Sequence, residues 1–172
     1  MYRQLLYRQL FILLSLAALA VTGFHAALAE TPSFSLSGAV TVTKISDGDS
    51  LRSGRLQIRL HGIDAPELKQ TCQGPDGDDW SCGEASRAAL ARIVDRPLQC
   101  ELRDVDRYGR LIMRCLVGET DIAEQLVSQG LALAYRRYST DYVAAEKAAE
   151  AGGHGMWQGR FEAPWDWRKK RN

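Results

Sequence analysis

The stretch Arg55-Leu56-Gln57-Ile58-Arg59-Leu60-His61-Gly62-Ile63 decides the fold, because apolar and polar side chains alternate along most of it. A period of two residues is typical of a half-buried β-strand. Two further strands precede it, one at 39–45 that is rich in β-branched residues and one at 50–52. Three short strands joined by tight turns predict a curled antiparallel sheet.

A later hairpin and three helices complete the expected fold. The hairpin turns at 104–109, and if Arg103 lies opposite Ile112, then Cys100 lies opposite Cys115. Strands followed by interleaved helices indicate an α+β domain, in which helices pack on a small barrel. The hairpin strands are expected at 98–103 and 111–117, and the helices at 83–94, 121–130 and 140–151.

The first 29 residues have the pattern of a secretory signal peptide. Arg3 and Arg8 precede a charge-free apolar run, and Ala27-Leu28-Ala29 supplies the A-x-A cleavage pattern. An uncleaved membrane anchor is the alternative, since the run approaches the roughly 20 residues that span a bilayer. We therefore predict export, to the periplasm or the medium. The rest of the chain is expected to comprise a leader at 30–37, one domain at 38–160 and a tail rich in Trp and basic residues at 161–172.

The net charge excludes one class of nucleic-acid-binding protein. The whole chain carries 22 Lys and Arg against 21 Asp and Glu. Without residues 1–29 it loses Arg3 and Arg8, which leaves 20 basic residues, 21 acidic ones and a net charge of −1. Proteins that bind nucleic acid through bulk electrostatics are clearly basic. Any action on nucleic acid therefore requires positive charge that is focused in a local cleft.

Four cysteines remain after the predicted cleavage, at 72, 82, 100 and 115. An even number in an exported chain favours disulfides, and the absence of a C-x-x-C pair disfavours a zinc site. Three connectivities are possible for four cysteines. We favour Cys72–Cys82, which would close the polar loop at 68–82, and Cys100–Cys115, which would bridge the hairpin.

Four charged residues of one short segment form a candidate catalytic set: Asp49, Arg59, Asp64 and Glu67. Taken singly, each has a simpler explanation as a turn, a strand end or an exposed strand residue. Together they suit phosphodiester hydrolysis. Carboxylate oxygens are ligands that calcium prefers, and a metal acts on a phosphate oxygen as a Lewis acid. Arginine binds the phosphate as negative charge builds up, and glutamate deprotonates water.

The hairpin turn Asp106-Arg107-Tyr108-Gly109-Arg110 adds a second group of candidates. It is open to interpretation as a plain Tyr-Gly turn with solvated charges. In the functional interpretation, Arg110 reaches the phosphate from the side opposite Arg59. Arg107 and Tyr108 then hold a neighbouring phosphate or base.

Six ordered motifs, which extend over about 40–157, resemble the staphylococcal nuclease family. Their order makes the match far more specific than any single motif. They are ISDGDS at 45–50, IRLHGIDAPE at 58–67, GEAS at 83–86, DRYGR at 106–110, LVSQGLA at 126–132 and GMW at 155–157.

The resemblance implies an OB-fold barrel of five strands with three helices. It also implies an endonuclease that acts on DNA and RNA and leaves 3′-phosphate ends. By position, the family's calcium ligands match Asp49, Asp64 and the backbone carbonyl of Ala65. Its catalytic groups match Arg59, Arg110 and the general base Glu67, and its nucleotide-contacting tyrosines match Tyr108 and Tyr135.

This chain departs from the family pattern in three places, none of which removes a catalytic group. Ala65 stands where threonine is usual, the loop after Glu67 carries two cysteines, and the 98–117 hairpin is short and contains two more.

A different class of function is a catalytically idle OB-fold module that binds nucleic acid or another protein. Such a module has no need of the complete set of charged residues, so that set favours the enzyme. Nothing in the sequence calls for an obligate protein partner or for more than a monomer.

Overall fold

The computed structural model describes residues 36–171. The predicted signal peptide at 1–29 and most of the leader lie outside these residues. The strands are β1 (Ser37–Val40), β2 (Lys44–Ile45), β3 (Ser50–Ser53), β4 (Leu56–Leu60), β5 (Ile63–Asp64), β6 (Cys72–Gln73), β7 (Asp79–Trp80), β8 (Leu98–Val105), β9 (Leu111–Val117), β10 (Thr120–Asp121) and β11 (Leu133–Ala134). The helices are α1 (Cys82–Ile93), α2 (Ile122–Ser128), α3 (Val143–Ala151) and α4 (Pro164–Lys169), with a 3-10 turn at Gly155–Gln158.

The main sheet curls into a barrel. Its strand order is β1-β8-β9-β4-β3-β2, so β1 and β2 lie at opposite ends of the sheet although they follow one another in the chain. The chain therefore bends between them and brings the two ends of the sheet towards each other. With β1 and β2 counted as one bent strand, five strands form the barrel, and the predicted α+β OB-fold is confirmed. The strand pairs are antiparallel except for β4 with β9, which is parallel.

A β-bulge changes the expected register of the hairpin. Cys100 lies opposite Cys115 as predicted, but Asp104 rather than Arg103 lies opposite Ile112. The register shifts between Leu102 and Asp104, so Arg103 is the extra residue. A bulge leaves one residue unpaired and increases the local twist, which side-chain alternation alone does not reveal.

The barrel core is apolar and is covered by α1, α2 and α3. The alternation in β4 is correct for Ile58 and Leu60, each 1% exposed, whereas Leu56 at the strand start is 53% exposed. Helix α2 begins at the predicted acidic residue, since the Asp121 carboxylate accepts hydrogen bonds from two backbone amides of the first turn. Helix α4, at the C-terminal end, is one helix more than the sequence predicts.

Both favoured disulfides are present. Cys72 is bonded to Cys82 and Cys100 to Cys115, and none of the four sulfurs is free. The first closes the loop that carries β6 and β7, and the second joins neighbouring strands of the barrel.

Among the helices of residues 36–171, none combines the length and the apolar character that crossing a membrane requires.

Candidate active site

Asp49 lies buried at the entry to β3, where a close approach of two backbone segments places it. Its Oδ2 accepts a hydrogen bond of 2.8 Å from the backbone amide of Ala65, and only 2% of the residue is exposed. The neighbouring Gly48 is needed here, because an added Cβ would lie 1.8 Å from Oγ of Ser86. The segment before β3 is thus pressed against both α1 and the segment that follows β5.

Arg59 joins the two aspartates. It extends from β4 with only 15% of its side chain exposed, and its Nη1 donates to Oδ1 of Asp49 at 2.9 Å. Its Nη2 donates to Oδ1 of Asp64 at 2.6 Å. Because one planar guanidinium contacts both carboxylates, Asp49 and Asp64 face the same point in space.

Asp64 is completely buried in β5, which pairs with β11. Both of its oxygens accept hydrogen bonds from a second arginine, Arg168 of α4. Nη1 of Arg168 lies 3.1 Å from Oδ1, and Nη2 lies 2.6 Å from Oδ2. Nη1 also donates to Oε1 of Glu67 at 2.7 Å. Arg168 therefore links Asp64 to Glu67, the predicted general base.

Burial and repulsion from Asp49 disfavour the charged forms of the acidic side chains Asp47 and Asp64. Burial, together with the charge of Asp49, raises the pKa of Asp47 to about 7 from 3.8. Burial also raises the pKa of Asp64, with a contribution from Asp49, although the hydrogen bond from Arg168 opposes this shift. Burial alone would lower the pKa of Arg59, but the attraction of Asp49 and Asp64 outweighs it and raises that pKa. Positive charge added near these carboxylates would relieve their repulsion.

The chemistry of the donor set fits a hard cation. Asp49 and Asp64 direct carboxylate oxygens towards one point, where they now contact the cationic guanidinium of Arg59, and calcium prefers oxygen ligands. Within residues 36–171, however, no three His, Cys, Asp or Glu side chains form a ready-made metal cluster. A calcium ion held by Asp49 and Asp64 would thus need backbone or water oxygens to complete its coordination shell. The backbone carbonyl of Ala65, which the sequence predicts as a ligand, belongs to the residue directly after Asp64.

Glu67 is fixed by its backbone as well as by Arg168. Its carbonyl accepts from the amide of Gln70 at 2.7 Å, and its own amide donates to Oε1 of Gln70 at 3.2 Å. The N-terminal end of α1 packs against it so closely that a Cβ on Gly83 would lie 1.9 Å from the Glu67 carbonyl oxygen. The GEAS motif therefore lies against both the Glu67 and the Asp49 segments.

Arg110 directly precedes β9, the strand that pairs with the one carrying Arg59. Because Arg59 pairs with Ile112, Arg110 comes two residues before that pairing point on the neighbouring chain segment. Its Nε donates to Oδ2 of Asp106 at 2.7 Å. Among residues 36–171, no hydrogen bond or ion pair joins Arg110 to Asp49, Asp64 or Glu67.

The other two candidate site residues of the hairpin turn, Arg107 and Tyr108, form a small surface group with Arg110. Tyr108 is 67% exposed, and the guanidinium carbons of Arg107 and Arg110 lie 4.7 Å and 5.7 Å from the centre of its ring. A cationic group around an exposed aromatic ring suits contact with phosphates and bases.

Tyr135 directly follows β11, and its amide donates to the carbonyl of Gly62 at 2.8 Å. Its ring is stacked on Trp165 of α4, with centroids 5.5 Å apart and planes inclined by 9°. Tyr138 meets the same ring edge-on at 5.1 Å. Helix α4 therefore contacts both the acidic cluster and the predicted nucleotide-contacting tyrosine.

Arg168 is the site residue that sequence reasoning missed. In the sequence, this residue belongs to a tail at 161–172 that is distinguished only by its Trp and basic residues. The one available signal is the tryptophans of that tail, since large aromatic side chains favour packing against a core. A tail that packs in this way carries its next residues to the domain surface as well.

Comparison with known proteins gives the same family as the motifs. The family model described as "Staphylococcal nuclease homologue" matches residues 57–159, which include Arg59, Asp64, Glu67 and Arg110. An "Uncharacterized endonuclease" of Haemophilus influenzae is 32% identical over 138 residues, which cover 75% of this chain and 72% of that protein. "Probable endonuclease LCL3" of Verticillium alfalfae is 31% identical over 86% of this chain and 55% of its own length.

Longer plant proteins are similar over one part of their length. "Probable staphylococcal-like nuclease CAN2" of Oryza sativa subsp. japonica is 30% identical over 125 residues, or 70% of this chain and 31% of that protein. The chain spans about a third of the length of this protein and of two further rice relatives. The family model covers more than half of the chain, and the bacterial relative matches across most of both sequences. This chain belongs to the staphylococcal nuclease homologue family.

Proposed function

We propose that this protein is an exported, calcium-dependent endonuclease that hydrolyses phosphodiester bonds in DNA and RNA and leaves 3′-phosphate ends. One observation carries the proposal: a single guanidinium, that of Arg59, contacts both Asp49 and Asp64 in a buried setting. Buried charges of this kind are costly to fold, and a surface that only bound nucleic acid would not require them. Relatives named as nucleases and endonucleases support the same reaction class.

The two aspartates and the Ala65 carbonyl would hold the calcium ion. When bound, calcium would supply Lewis-acid chemistry at a non-bridging phosphate oxygen. Arg59 contacts both carboxylates, so its guanidinium would lie beside a phosphate bound there. Arg110, directly before the neighbouring strand, would bind the phosphate from a second direction.

Glu67 would act as the general base. It accepts a proton from the attacking water, whose oxygen forms a bond to phosphorus while the bond from phosphorus to the 5′ oxygen breaks. The released 5′ oxygen takes a proton from solvent, and the phosphate stays on the 3′ oxygen. Arg59 and Arg110 would stabilise the additional negative charge of five-coordinate phosphorus.

Arg107, Tyr108 and Tyr135 would contact the nucleotides on either side of the scissile bond. Tyr108 offers an exposed ring flanked by cations, which suits stacking with little dependence on base identity. Action on both DNA and RNA agrees with contacts to phosphates and ring faces rather than to sugar hydroxyls.

Export is supported by two independent features. The sequence of residues 1–29 has the order of a signal peptide, and the chain contains two disulfides, which persist in oxidising compartments. N-terminal sequencing of the protein recovered from its source would test cleavage near Glu30. An intact N-terminus in a membrane fraction would support the anchor instead.

The test is cleavage of a supercoiled plasmid and of a labelled RNA, each with calcium and with excess chelator. We expect nicked and then linear DNA with calcium only, which requires internal cutting. Product ends should resist extension by a polymerase until a 3′-phosphatase has been added. Cutting that continues unchanged in chelator would refute the metal mechanism. Retarded nucleic acid without any cutting would favour the binding module.

A further inference from the structure

Helix α4 brings a third arginine to the candidate active site from outside the region that the family model matches, which ends at residue 159. Arg168 bridges two carboxylates: it forms two hydrogen bonds with Asp64 and one with Glu67. Glu67 keeps 32% of its side chain exposed and Asp64 none, so the bridge ties a buried group to a partly open one.

The position of Arg168 is fixed by the packing of the segment around it. Pro164 is buried at the start of α4, and Trp165 stacks on Tyr135. A second core cluster, built around the Cys72–Cys82 disulfide and Met156, also packs against Trp165. A helix anchored in this way presents Arg168 in one orientation, unlike a solvated basic tail.

We propose that Arg168 is a positioning residue of the nuclease site, which holds the Glu67 carboxylate at a set distance and direction from Asp64. The inference rests on the proposed function, because it assigns a partner to the general base of that reaction. The two hydrogens of Nη1 point to different carboxylates, one on Asp64 and one on Glu67, so one nitrogen fixes the spacing between them. Arg59 contacts Asp64 from β4, and Arg168 contacts it from α4.

Arg168 does more than neutralise the charge of Glu67, because it also fixes the orientation of that carboxylate. Glu67 has no other cationic partner among residues 36–171. Without Arg168, a partly exposed glutamate can adopt several rotamers, and the water that it activates loses its fixed position. In the proposed function, Arg59, Arg110 and the aromatic side chains contact the nucleic acid, so loss of Arg168 should lower turnover while KM stays nearly constant.

The test compares the full-length wild-type protein with Arg168→Ala and with a matched control, Lys169→Ala. Lys169 is the next residue of α4, but within residues 36–171 its one ion pair is with half-exposed Asp166. With saturating calcium and a short labelled DNA, we expect kcat of Arg168→Ala to fall by about 10- to 100-fold, as for residues that orient catalytic groups. Its KM should stay within about twofold, and the control should match wild type.

Chemical rescue adds a readout that a general loss of structure would not produce. Guanidinium ion at low millimolar concentration should restore part of the turnover of Arg168→Ala, whereas methylammonium, which cannot form the planar bridge, should not. In chelator, without metal or substrate, the same guanidinium should raise the Tm of Arg168→Ala and leave that of wild type unchanged.

Turnover of Arg168→Ala equal to or above that of wild type would overturn the inference, and a faster variant would identify Arg168 as an obstacle to substrate or metal. Equal rescue by both cations would overturn it too, because charge alone would then suffice. If wild type itself does not cut, the proposed function fails first, and the thermal rescue in chelator still decides whether Arg168 holds this bridge.

Discussion

Replacing Arg59 by Gln separates the two arginines assigned to the phosphate. Arg59 lies between carboxylates that are 2% and 0% exposed, whereas Arg110 pairs with Asp106 in a more open setting, with 27% and 19% of the side chains exposed. Both substitutions should slow cleavage by orders of magnitude, since each removes a cation from the phosphate site. Only Arg59→Gln should also destabilise the fold strongly.

The magnitude follows from what each substitution leaves behind. Arg59→Gln leaves two buried carboxylates with one partner fewer, and breaking a buried pair in this way costs about 3–5 kcal/mol. Arg110→Gln removes a more exposed ion pair, worth up to about 1 kcal/mol. The matched variants thus differ by several kcal/mol in the free energy of unfolding, although their activities fall together.

The assay is urea unfolding at pH 8 in chelator, followed by circular dichroism, with the slope m compared between variants to confirm that the midpoint reports stability. Lowering the pH should reduce the difference in the free energy of unfolding between Arg59→Gln and Arg110→Gln. The pKa of Asp64 is raised on folding, mainly by burial, so the cost of its charge is present above its unfolded value and disappears as protonation removes it. Equal stability of the two variants at pH 8 would refute the buried arrangement around Arg59.

Three further predictions concern stability. Burial raises the pKa of Asp47 to about 7 from 3.8, so folding disfavours its charge. In chelator, Asp47→Asn should therefore be more stable than wild type at pH 8, with a gain that shrinks as the pH falls towards the unfolded value of 3.8, and a loss at pH 8 would contradict this. Replacing Cys100 and Cys115 together by Ala should cost about 3 kcal/mol by urea unfolding, as expected for a separation of 15 residues, and an unchanged midpoint would refute it. Gly83→Ala should cost about 1–3 kcal/mol and lower kcat, because its Cβ would displace the Glu67 carbonyl; wild-type values for both would show that this contact is not tight.

Much of the barrel can be predicted from local sequence. Alternation identifies β4, and a hairpin that turns at 104–109 predicts that Cys100 lies opposite Cys115, as it does. The bulge at Arg103 cannot be predicted in this way, because one added residue leaves the composition of the strand unchanged. Alternation also fails at Leu56, where the strand begins at the edge of the core.

The candidate site likewise contains residues that local sequence predicts and one that it does not. Asp49, Arg59 and Asp64 lie close in sequence, and short β connections keep them close in space, so motif reasoning finds them. Arg168 is 104 residues from Asp64, and no local pattern relates the two. Its place depends on how tryptophans of the C-terminal segment pack, which is decided by tertiary contacts.

Calcium binding by titration calorimetry tests the central claim most directly, with wild type compared with Asp64→Asn after circular dichroism has shown that both are folded. The account predicts one calcium ion per wild-type chain and binding weakened by at least tenfold in the variant, since a neutral amide replaces a carboxylate ligand. Equal affinity in the two proteins, or no binding by wild type, would contradict it.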